Sequence, residues 1–186
     1  IAALQALTQL QPTVPGGWFL LARQLRKAGR TQDAWRADLS GVHASSRDTG
    51  LPKAAVAAQD GDLEGADRML AERLARDADD PPALRLHGEI AWRKGEMTPA
   101  IARVEQAVAS APGFDIARDF LIRLLLQTNR LPEALEHAEV LQASPIPSPG
   151  HKLILASVLV RLGHQERAAG LYRDLLARDA DQPQVW

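Results

Sequence analysis

Apolar residues recur along this chain at spacings of three and four, in stretches of about fourteen positions broken by glycine, asparagine and proline. That spacing is the period of a helix with one buried face. The stretch after Asp80 is the clearest: Asp80 can cap a helix, Pro81-Pro82 can fill its first turn, and Leu84, Gly88 and Ala91 form the apolar stripe. Gly95 permits a reversal, Ala100, Val104 and Ala107 carry a second stripe, and Pro112-Gly113 ends it. The pattern predicts an all-α chain of helical hairpins. Five alanines (34, 66, 100, 134 and 168) each follow by five residues a Gly or Asn (29, 61, 95, 129 and 163), and both series step by 32, 34, 34 and 34. A period of that length marks a stacked repeat array, whose stability is shared between neighbours.

Phasing on the alanine predicts units at 15–46, 47–80, 81–114, 115–148 and 149–182, each an inner helix, a tight turn and an outer helix. Residues 1–12 read as a partial outer helix and 183–186 as the start of a further repeat, so the expectation is one array cut from a longer protein. Open ends of that kind would expose apolar faces and allow dimerisation. The second unit is the weakest, because Pro52 sits near the start of its inner helix and Ala54-Ala-Val-Ala-Ala58 offers little bulk.

Composition narrows the class. With 46% hydrophobic and 24% charged residues the chain is a folded protein, and a net charge of −1 argues against bulk attraction to nucleic acid or acidic membranes. The longest apolar run, residues 153–160, is far shorter than a bilayer span. The lack of cysteine excludes disulfides and thiolate metal sites and fits a reducing compartment such as the cytoplasm.

Position by position the chain resembles the tetratricopeptide repeat family. Trp18, Leu21, Ala22, Leu25, Gly29 and Ala34 fill its pattern in the first unit; Gly88, Gly95, Ala100, Ala107 and Pro112 do so in the third, and Ala156, Gly163, Ala168 and Tyr172 in the fifth. The resemblance implies a right-handed superhelical solenoid of antiparallel helix pairs, whose inner helices line a concave groove for a peptide or partner helix. More narrowly, residues 112–118, 129–135 and 181–186 look like the amino-terminal repeats of bacterial proteins in which such an array precedes a sulfotransferase domain. That would make this chain an accessory arm, with any catalytic domain beyond Trp186.

By the family's geometry the groove takes Phe19, Arg23, Arg26, Lys27, Arg85, Glu89, Trp92, Arg93, Asp119, Phe120, Arg123, Gln127 and Arg161. The first fourteen positions of the five units hold 12 basic and 5 acidic residues, and the rest of the chain 10 and 18. A basic groove would favour an acidic partner, with Trp92 and Phe120 as aromatic anchors. The alternative, that arginine suits exposed helix while acids gather at outer-helix N-termini, stays open. The family's carboxylate-clamp mode is disfavoured, since the one asparagine, Asn129, falls in a turn.

Nothing points to catalysis. No nucleophile elbow, phosphate loop or dinucleotide fingerprint occurs, and no two of His43, His87, His137, His151 and His164 have the i, i+4 spacing of a helical metal site. No cofactor or metal is therefore implied. His87 reads as a core histidine, His137 and His164 as surface residues, and Asp79-Asp80 as helix-capping acids. The function expected is a non-catalytic protein-binding scaffold.

Overall fold

The computed structural model describes residues 1–47, 50–145 and 148–180. Among them are eleven α-helices and no strand: α1 Ala2–Leu10, α2 Pro15–Lys27, α3 Thr31–Ser46, α4 Gly50–Gln59, α5 Leu63–Arg76, α6 Pro81–Arg93, α7 Met97–Ser110, α8 Asp115–Gln127, α9 Leu131–Gln142, α10 Pro149–Arg161 and α11 Gln165–Ala180. The chain divides into two compact units, Ile1–Ala117 and Arg118–Trp186. The predicted further repeat at 183–186 lies outside the described residues.

The helix ends follow from the residues that stop them. Asp62 and Asp80 accept from the backbone N–H of Gly65 (2.8 Å) and Ala83 (3.2 Å), satisfying donors that a helix start leaves free. Prolines occupy the first turns of α2, α6, α9 and α10, where a missing N–H costs nothing. At each tight turn the residue after the pivot donates its N–H to the carbonyl five residues back: Arg30 to Leu25, Asp62 to Ala57, Glu96 to Ala91, Arg130 to Leu125 and His164 to Leu159. This is the Schellman arrangement, which needs a left-handed pivot. The pivots are Gly29, Gly61, Gly95 and Gly163 at φ between 73° and 89°, and Asn129 at φ 58°, the side chain other than glycine that tolerates that region best.

The five phased alanines are all at most 1% exposed. In unit 1, one core joins Leu21, Ala22, Leu25, Ala34 and Ala37 of α2 and α3; another joins Leu51, Ala54, Ala58, Ala66, Leu70, Ala83, Leu86 and Ile90 of α4 to α6. Helices α6 and α7 approach closely at Gly88, where an added Cβ would lie 2.5 Å from Val104 Cγ2 and 3.0 Å from the Ala100 carbonyl. In unit 2, Leu121, Leu125, Ala134, Ala138, Leu141, Leu155, Ala156, Leu159 and Ala168 are buried.

One feature of unit 1 departs from neighbour-only stacking. Helix α3 turns a polar face, Asp38 and Ser45, onto two later turns. Asp38, fully buried, accepts from Arg26 Nη1 (2.5 Å) and from the Gly113 N–H (2.9 Å), 75 residues away. The Trp35 indole lies against Gly113, 3.0 Å from where a Cβ would sit. Ser45 Oγ donates to Asp80 (3.0 Å), which also accepts from Arg73 Nε at 2.6 Å. Asp80 is thus cap, ion-pair partner and strap anchor at once, more than the capping role read from sequence. Burial raises the Asp38 pKa above the usual carboxylate value, and the bonds from Arg26 and Gly113 oppose that rise.

Candidate functional site

Unit 1 places eight of the expected groove residues on α2 and α6. On α6, Arg85, Glu89 and Arg93 form a ladder at i, i+4 spacing: Glu89 accepts from Arg85 Nη1 at 3.1 Å and from Arg93 Nη2 at 2.9 Å. Arg93 Nη1 also donates to the Ala58 carbonyl (3.1 Å), at the end of α4. Trp92 is 37% exposed beside them. Two guanidinium groups therefore share one carboxylate, and the positive charge counted along the sequence is partly spent inside the helix.

On α2, the half-buried Phe19 packs its ring against Gly41 of α3. With Arg23 it lines a cleft of about 570 Å³ whose far wall carries Asp77, Asp79 and Gln106. Arg26, counted with the groove, also lines this cleft, but its Nη1 is held by buried Asp38. Lys27 is exposed and lines neither this cleft nor the next.

A second cleft, about 360 Å³, opens between the end of α3, the start of α4, the start of α6 and residues 114–116. Val42, Leu51, Pro52, Ala55, Pro82, Leu86, Phe114 and Ile116 make it apolar, and Arg85 stands in its wall. Ile116 is 65% exposed, a large apolar side chain left open to a partner. The thinness of α4, which sequence reasoning read as weakness, makes this space: Ala55 stands where a larger residue would fill it. The alanine run from 54 to 58 was the available signal.

In unit 2, Arg123 is exposed and bonded along α8 to the half-buried Asp119, Nε to Oδ1 at 3.2 Å. Phe120 is half-buried and Gln127 exposed. Arg161 Nη2 donates to the Leu126 carbonyl at 3.2 Å. The expected residues thus fall into separate groups: Phe19 with Arg23, Arg85 with Glu89, Trp92 and Arg93, and the α8 and α10 residues in the other unit.

His87 is buried, 7% exposed, with Nε2 2.8 Å from Asp67 Oδ1. Desolvation first, then the charge of Arg103, holds its pKa below the ordinary 6.5, so the neutral ring donates from Nε2 to Asp67. Burial opposes ionisation of Asp67, but the hydrogen bond from His87 together with the charge and bond of Lys94 outweighs it and holds that carboxyl below its usual value. His87 is thus a core histidine, as read from the sequence, and the structure adds its partner Asp67. His164 is exposed, whereas His137, expected at the surface, is half-buried because Arg118 packs against it, Nη1 to Nδ1 at 3.2 Å. Among the described residues no three His, Asp or Glu side chains cluster as a metal site would require, and no helix is long and apolar enough to cross a membrane.

No family model and no curated protein matches this chain. Solved structures do. MamA residues 41 to end from Desulfovibrio magneticus superimposes with a TM-score of 0.63 at 16% identity, over 91% of this chain and 97% of that one. PilF of Pseudomonas aeruginosa gives 0.61 at 20% identity, over 92% and 78%. A tetratricopeptide repeat protein from Parabacteroides merdae gives 0.63 at 12% identity, over 90% and 67%. Identities this low speak to fold alone. With the Schellman turns, the buried alanine of each hairpin and the all-helical order of the described residues, they establish that this chain has the tetratricopeptide-repeat fold.

Proposed function

We propose that the chain is a non-catalytic protein-interaction scaffold that seats a partner's peptide in the apolar cleft between α3, α4 and α6. The observation that carries this reading is the open apolar wall ending in the exposed Ile116. A cleft that is apolar apart from Ser46 and Arg85 suits a hydrophobic anchor residue, with Arg85 fixing the orientation of an acidic neighbour. Arg85 keeps part of its charge for that purpose, because Glu89 is shared with Arg93.

Peptide-array binding followed by calorimetry tests it. Peptides with a leucine or phenylalanine flanked by acids should bind wild type, and Ile116→Ser should weaken them about tenfold with an unchanged Tm, tenfold being about 1.4 kcal/mol. Equal binding by the Ser variant would remove the cleft from the reading. A second reading, self-association, is favoured by α1, where Leu7 is 40% and Leu10 82% exposed. Light scattering decides it: a monomer at all concentrations rejects self-association, and a dimer lost in Leu10→Ser supports it.

A further inference from the structure

We infer that the outer stripe of α3 is a second binding site, one that takes an extended acidic segment of a protein partner. Arg36, Ser40, His43 and Arg47 follow one another at i, i+4, i+7 and i+11 and so share one face of the helix. They line a cleft of about 420 Å³ together with Pro12, Trp18, Leu39 and Ala44. Among the described residues no acidic side chain stands in its wall. Among the described residues the carboxylate paired to the stripe is Asp33, and its single charge is divided between Arg30 at 2.6 Å and Arg36 at 3.8 Å. The cluster is therefore net positive, unlike the α6 ladder, where arginine and glutamate interleave.

The surroundings show what would fit. Trp18 is fixed by its own hydrogen bond, Nε1 to the Pro12 carbonyl at 3.0 Å, so the indole is a preformed wall beside the cations. Ser40 Oγ already donates to the Arg36 carbonyl, leaving the ligand contacts to Arg36, His43 and Arg47. At a rise of about 1.5 Å per residue, Arg36 and His43 are roughly 10 Å apart along the axis, and His43 and Arg47 about 6 Å. The groups are too spread to converge on one phosphate or one carboxylate. An extended strand repeats its side-chain direction about every 6.6 Å, which matches the His43–Arg47 step; the step of roughly 10 Å to Arg36 falls between one and two repeats, a difference that the long arginine side chain can span. Acids on that side of the strand would meet His43 and Arg47 and, through its reach, Arg36, while the strand backbone crosses Trp18 and Leu39. Two arginines on a chain of net charge −1 would release too few counterions to hold a nucleic acid well, so the chemistry favours an acidic protein segment.

This site is separate from the apolar cleft, since α3 gives Val42 and Ser46 to that one and the Arg36 stripe to this one. The probe is a fluorescein-labelled octapeptide of alternating Glu and Ser, with a Gln-Ser octapeptide and an oligothymidylate as comparisons, followed by fluorescence polarisation. The Glu-Ser probe should bind and lose affinity as salt rises from about 0.05 to 0.5 M, while the Gln-Ser probe does not bind. Arg36→Glu with Arg47→Glu should weaken the Glu-Ser probe at least about tenfold, and Arg36→Lys with Arg47→Lys should restore most of it. Arg23→Glu with Lys27→Glu, on α2, should leave it within about twofold. The Arg36 side chain is 72% exposed and Arg47 is exposed, so circular dichroism should show these variants folded. Unchanged affinity in the Arg36→Glu, Arg47→Glu protein overturns the proposal, as does tighter binding of oligothymidylate than of the Glu-Ser probe. Ile116→Ser should not change Glu-Ser binding, so failure here and failure of the apolar cleft are read separately.

Discussion

Gly88 shows how a single residue sets a helix contact. With Val104 Cγ2 and the Ala100 carbonyl already at 2.5 and 3.0 Å from a built Cβ, Gly88→Ala must push α6 and α7 apart. Overpacking of that kind costs about 1–3 kcal/mol, and thermal unfolding should show it as a lower Tm. Better helix propensity would offset at most about 1 kcal/mol, so a raised Tm would contradict the contact. His87 gives a pH signature. Its folded pKa lies below the unfolded value of 6.5, so between the two the unfolded chain binds more protons. Stability should therefore be full above the ordinary imidazole range and fall as pH drops through 6.5 towards the folded value. His87→Gln should flatten that part of the Tm profile. At this scale the sequence was informative wherever a small residue marks a close approach, as at Gly88 and the five alanines. It was silent on Asp38, since nothing near residue 38 announces a partner at Gly113.

Helix α3 carries two jobs that its local sequence does not separate. One face holds Asp38 and Ser45 against later turns; the opposite face presents Arg36, His43 and Arg47. Periodicity located the helix, but a rule that assigns outer helices to a mostly acidic surface could not find a basic stripe on one of them. The same limit applies to α6, where a count of charges includes Glu89 but does not show that it bonds both Arg85 and Arg93. Asp80 tests the strap. Asp80→Ala removes the cap on Ala83 N–H and leaves Ser45 and Arg73 without their shared acceptor. A cap alone is worth about 1 kcal/mol, so a loss of about 2–4 kcal/mol in denaturant unfolding is expected if the buried bonds add to it. A loss no larger than a cap would mean that α3 gains nothing from this anchor.

Across unit 1 the strap changes how stability is shared. Neighbour coupling alone would let damage in α4 release α2 and α3 from the rest. Here α3 reaches the start of α6 and the turn before α8 directly. Ala54→Gly, which weakens α4 by about 1 kcal/mol, should therefore raise hydrogen exchange in α4 while α3 keeps protection like that of α6. Exchange of α3 in step with α4 would show that the strap does not couple them. The same bonds bear on how such an array can grow. A solenoid ordinarily lengthens by duplicating a hairpin at any joint, because each joint resembles the next. Between α3 and α6 a spare hairpin would carry Asp80 and Gly113 away from Ser45 and Asp38, leaving the buried Asp38 to Arg26 alone and the Gly113 N–H without its acceptor. This segment is closed to insertion, and duplication in this lineage should be found elsewhere along the chain.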